Sequence, residues 1–168
     1  MFQPGDLVVY GRTGVCRVER IEREKGQDFY ALKPLYQNCY ILTPVNGKVF
    51  MRPVVSREEA LRLIDQMPSM EVEPWQSGAL REMNERYQAI VATHECIDLI
   101  ELVMSIHAKK KNAELEKRKF GAADERFMKE GKALLHGELA VALDIPVDRV
   151  PGYISDRLAE AGAVPNIY

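Results

Sequence analysis

The chain has 168 residues, with 23 Lys+Arg against 25 Asp+Glu and a formal net charge of −2. Its 46% hydrophobic content is too high for a disordered chain, and its length fits one domain or two small ones. A net charge near zero excludes a wholly basic nucleic-acid coat, so any nucleic-acid surface must be local.

Residues 1 to about 55 read as strands. Leu7-Val8-Val9-Tyr10 is a β-rich run after the turn formers Pro4-Gly5-Asp6. Gly11 to Gly14 is a turn, and Val15 to Glu24 follows as a twisted or bulged strand. Lys25-Gly26-Gln27-Asp28 is a hairpin-like break before a third strand, Phe29 to Leu32. Asn38 to Thr43 is the fourth, with Cys39, Ile41 and Thr43 on one face. Asn46-Gly47 signals a tight turn, and Lys48 to Val54 is the fifth strand. Five short strands over about 50 residues predict a small SH3- or Tudor-like barrel rather than a parallel sheet.

The pattern changes at Val55. Ser56-Arg57-Glu58-Glu59 is a capping box that opens a helix running to about Met67. Residues 68–78, with Pro68, Pro74 and Gly78, read as an irregular linker. From residue 79 the period is helical, with Leu80, Met83, Tyr87, Ile90 and Val91 as one stripe. A second helix follows Thr93-His94, carrying Cys96, Leu99, Ile100, Val103, Met104 and His107. Ala123 to Leu143 is a longer helix, and Tyr153 to Ala161 is a short last one after Pro146, Pro151 and Gly152. The expected class is α+β, with a barrel over 1–55 and an α-helical bundle over 56–168.

Charge is uneven along the chain. Residues 1–60 carry +2, 61–108 carry −5, 109–132 carry +4 and 133–168 carry −3. The positive stretch holds Lys109-Lys110-Lys111, Lys117-Arg118-Lys119, Arg126, Lys129 and Lys132. It reads either as a solvated helix end whose bases favour the dipole, or as a nucleic-acid contact.

No run reaches the ~18 uninterrupted apolar residues of a membrane span. Ile97 to Ile106 is cut by Asp98 and Glu101. The start, Met1-Phe2-Gln3-Pro4-Gly5-Asp6, resembles no secretory signal, so a cytoplasmic protein is expected. Cys16, Cys39 and Cys96 form no CxxC pair and read as reduced thiols, with no metal and no cofactor implied. Gly11-Arg12-Thr13-Gly14 lacks the spacing and Lys-Ser/Thr of a phosphate loop. His94-Glu95-Cys96 is not a metalloprotease HExxH, because Asp98 stands where the second His is needed. An enzyme is therefore not expected, and a Cys96-dependent hydrolase is the weakest of three readings.

Gly5-Asp6-Leu7-Val8-Val9-Tyr10 followed by Gly14 resembles the opening strand of the CarD/CdnL family of bacterial transcription regulators. The same opening is shared with the polymerase-interacting domain of transcription-repair coupling factor. Val49-Phe50-Met51-Arg52-Pro53-Val54 resembles the family's closing strand, and Arg86-Tyr87 and Gly137-Glu138-Leu139-Ala140 resemble landmarks of its helical domain. The resemblance covers roughly residues 2–143. It implies a Tudor-like domain that binds the RNA polymerase β subunit. It also implies a helical domain lying on promoter DNA near the upstream edge of the melted region. Open-complex stabilisation without sequence reading fits phosphate contacts, which carry little sequence information.

The resemblance marks Arg23 and Arg52 for polymerase contact; Arg52 reads equally as a structural ion pair. The DNA-facing candidates are Trp75, Arg86, Lys109, Lys110, Lys111, Lys117, Arg118, Lys119, Arg126 and Lys129. The family's promoter-facing tryptophan is replaced by Met83, and the only tryptophan, Trp75, lies upstream in the linker. Trp75 either takes that role or packs on the helices. Gln88 and Glu125 stand where the family is basic, which places the DNA contact differently or weakens it. The reading is a non-enzymatic regulator, expected as a monomer; the rival is a protein–protein adaptor that uses the same barrel without DNA.

Overall fold

A computed structural model describes residues 1–75 and 79–163, which divide into two compact units, one of Met1–Val55 and one from Ser56 onward. Of the expected linker, residues 76–78 lie outside the described residues, as do 164–168 of the tail. No described helix is long and apolar enough to cross a membrane.

The first unit is an antiparallel sheet of β1 (Leu7–Tyr10), β2 (Gly14–Glu24), β3 (Gln27–Pro34), β4 (Ile41–Pro44) and β5 (Met51–Pro53). Their order is β4-β3-β2-β1-β5. The bulge expected in β2 falls at Glu19: Val18 faces Leu32, Arg20 faces Ala31, and Glu19 is the extra residue. One extra residue flips the side-chain parity. Cys16 and Val18 point into the core before it, and Ile21 packs on the same core after it.

The β2–β3 connection is tighter than expected. Lys25 and Gly26 both have positive φ (49° and 81°), the backbone of a two-residue type I′ turn, so β3 starts at Gln27. β4 is shorter: Cys39 and Tyr40 precede it and are exposed, while Thr43 is buried and accepts a hydrogen bond from the Tyr10 hydroxyl at 3.1 Å. β5 is also shorter than Lys48 to Val54, while the expected turn is present, with the Gly47 N–H donating to the Pro44 carbonyl at 2.9 Å. β4 and β5 are the outer strands, and no pairing joins them among the described residues. The expected SH3- or Tudor-like barrel is thus seen as a five-stranded antiparallel sheet that is not closed.

The second unit holds α1 (Arg57–Gln66), α2 (Leu80–Val91), α3 (Cys96–Leu115), α4 (Ala122–Leu143) and α5 (Val150–Glu160). The Ser56 hydroxyl accepts from the Glu59 N–H at 3.1 Å, as the capping box requires. In α2, Met83, Tyr87 and Val91 are buried, whereas Leu80 lies in the first turn and is 62% exposed. α3 and α4 approach closely at Gly131, where a Cβ would sit 3.2 Å from Val103. α5 starts three residues earlier than expected. Pro151 falls in its first turn, where the missing N–H costs no helical bond. The Arg157 guanidinium reaches back to both oxygens of Asp65 on α1, at 2.7 and 2.9 Å. A core of Met83, Tyr87, Val91, Leu102, Ile106, Phe127 and Met128 joins α2, α3 and α4, and Trp75 packs against it.

Candidate functional site

The α3–α4 connection spans 116–121, and the chain reverses there through charged residues. Glu116 ends α3, and Lys117 takes the left-handed conformation (φ 54°). The Lys117 N–H bonds the Glu114 carbonyl and the Arg118 N–H bonds the Ala113 carbonyl, a Schellman closure without its usual glycine. Lys117, Arg118 and Lys119 are all exposed. Arg118 contacts Glu116 at 2.5 Å. On α3, Lys110 and Lys111 are exposed, with Lys110 over the Phe120 ring at 5.8 Å. On α4, Arg126 and Lys129 are exposed one turn apart, and Arg126 donates to the Asn84 side chain at 3.3 Å.

Two groups outside the candidate set report on the field there. Burial, then the charges of Lys111, Lys132 and Lys110, pushes the His107 imidazole below its usual range, against an opposing pull from Glu114. Burial and then Lys110 push the Lys132 ammonium down. Like charge has gathered on this face. The sequence signal for Lys132 was its place in the +4 segment. Nothing local marked His107.

Lys109 belongs elsewhere. Its side chain is 20% exposed, and its ammonium lies 3.0 Å from Asp124, whose side chain is 3% exposed. The Tyr87 hydroxyl donates to the same carboxylate at 2.7 Å. Burial, then Asp124, pushes the Tyr87 phenol up. One carboxylate thus ties α2, α3 and α4 together, and the charge of Lys109 is neutralised inside the unit. Met83 is buried beside it, with its sulfur 2.9 Å from the Lys109 ammonium.

Trp75 and Arg86 are brought together. The Arg86 guanidinium stacks over the Trp75 ring at 4.7 Å, and the indole meets Tyr87 edge-on at 6.4 Å. The Trp75 backbone N–H donates to the Ser105 hydroxyl at 3.3 Å, and that hydroxyl donates to the Glu73 backbone carbonyl at 3.0 Å. This fixes the 71–75 segment along α3. Trp75 is half-buried, and the groove beside it, of about 510 Å³, is also lined by Glu71, Glu73 and Glu101.

In the sheet unit, Arg23 is exposed at the far end of β2, 3.8 Å from Asp28 across the β2–β3 pair. Arg52 lies on the outer strand β5 opposite Val9, and its guanidinium donates to the Pro53 carbonyl at 3.0 Å. Val9 pairs with Val15, and Arg23 is eight residues further along that strand. The two arginines thus mark separate parts of the sheet.

The Cys96 thiol is buried and donates to the buried Glu138 carboxylate at 3.0 Å. Among the described residues no group of three or more His, Cys, Asp or Glu could hold a metal ion.

Residues 2–63 match the model of the CarD-like/TRCF RID domain. The match spans the whole sheet and runs into α1, in agreement with the resemblance carried by the opening strand and the closing Arg52-Pro53. The chain matches no curated protein.

Proposed function

We propose that this chain is a non-enzymatic transcription regulator of the bacterial cytoplasm that acts as a monomer on RNA polymerase. Its first unit, a Tudor-like sheet left open at β4 and β5, binds the polymerase β subunit through the surfaces marked by Arg23 and Arg52. The observation that carries this is the RID-domain match over residues 2–63. Open outer strands suit strand addition by a partner. Its second unit, residues 56–168, rests on promoter DNA near the upstream edge of the melted region and stabilises the open complex.

The exposed bases Lys110, Lys111, Lys117, Arg118, Lys119, Arg126 and Lys129 support the DNA reading, as does the positive field felt by His107 and Lys132. Phosphate oxygens relieve that repulsion without reading sequence. Lys109 is left out of this face because Asp124 holds it, and Met83 because it is buried. Trp75 and Arg86 are left out because carboxylates line their groove. Polymerase supplies the local concentration that lets modest DNA contacts suffice.

The test is capture of polymerase subunits by the wild-type chain and by an Arg23→Glu/Arg52→Glu variant. The wild type is expected to retain the β subunit and the variant to lose it. Equal capture by both would overturn the assignment of these surfaces.

A further inference from the structure

We propose that the groove over Trp75 is a docking site for an arginine-bearing segment of a protein partner, and that Arg86 is its resident stand-in. The groove has an aromatic floor and an acidic rim. Glu71, Glu73 and Glu101 are among the residues that line it. Arg86 enters the same groove but lies over the indole face at 4.7 Å rather than against a carboxylate. One guanidinium against three carboxylates leaves the groove anionic even when its own arginine is in place. A planar cation gains from both features at once: it stacks on an indole and bonds carboxylates bidentately.

The floor is set in advance. The Trp75 backbone N–H is held by Ser105, the indole rests on Tyr87, and Tyr87 is bonded to the buried Asp124. An arriving arginine therefore meets a formed surface, and the cost of ordering falls on the partner segment. The same charges repel a phosphate backbone, so duplex DNA is the wrong occupant. The 61–108 segment, at −5, would thus face a basic protein while the 109–132 segment, at +4, faces an anion.

Trp75 is the only tryptophan of the chain, so its emission reads this groove alone. The full chain is titrated with hexa-arginine peptide, and separately with hexa-glutamate peptide and with duplex DNA. The arginine peptide is expected to shift Trp75 emission in a saturable, salt-sensitive way. Arg86→Ala should bind it about two- to fivefold more tightly, as the competing stack is removed. A Glu71→Gln/Glu73→Gln/Glu101→Gln variant, with an unchanged circular dichroism spectrum, should lose the response. The proposal is overturned if the peptide leaves the emission unmoved, or if the triple variant responds as fully as wild type. A shift produced by duplex DNA and not by the peptide overturns it too, and would return Trp75 to the DNA face. The outcome is independent of the polymerase capture experiment.

Discussion

Asp124 decides which lysines of the α3 end are structural and which remain available at the surface. Its carboxylate is buried, accepts from Tyr87 and pairs with Lys109. Removing one partner of such a pair leaves a charge uncompensated. Lys109→Met should therefore cost about 3 kcal/mol in a denaturant titration, whereas Lys111→Ala should stay within about 0.5 kcal/mol. Equal losses would mean that the Asp124 pair is not the difference between them. Helix α4 offers a second residue-scale test. Burial, and then Lys132, push the His136 imidazole from 6.5 down to about 4. The unfolded chain binds that proton more readily, so the stability His136 contributes is present above its ordinary value and is lost as pH falls through the folded one. Between those two values wild type should lose up to about 1.4 kcal/mol per pH unit relative to His136→Gln. Parallel stability curves for the two chains would contradict this.

Helix ends and strand turns carry the next set of consequences. Lys117 closes α3 in a left-handed conformation that favours glycine. Lys117→Gly should stabilise the unit by about 0.5–1 kcal/mol, while removing one cation from the proposed DNA face. Loss of stability would show that the lysine side chain does more than tolerate the turn. At the other extreme, Ser56→Ala should cost about 1 kcal/mol through the lost bond to the Glu59 N–H. That cap was legible because it is local: donor and acceptor are three residues apart in the chain. The bulge in β2 and the long helix after residue 121 were legible for the same reason, since periodicity and its interruption are properties of short windows. What failed was also physical. Lys25-Gly26 is a two-residue turn rather than a longer break because a lysine accepts positive φ there. The last helix starts before Tyr153 because its first turn accommodates Pro151. The site was less legible than the fold. The basic residues are visible in the sequence, but the Lys109–Asp124 pair and the Arg86–Trp75 stack join different elements, and no local signal announces them.

For the molecule as a whole, a net charge of −2 means that binding to DNA cannot come from bulk attraction. The isolated chain should bind duplex DNA no more tightly than about micromolar at physiological salt, with affinity falling steeply as salt rises. Sub-micromolar binding without polymerase would contradict the division of labour between the two units. The most direct measurement is the lifetime of promoter open complexes formed by polymerase with wild-type chain or with Lys117→Glu/Arg118→Glu/Lys119→Glu. Co-purification with polymerase confirms that each remains bound. The account predicts that the variant is retained by polymerase and that its open complexes decay faster. An unchanged lifetime with polymerase still bound would contradict it, and would leave the chain as an adaptor that never touches DNA.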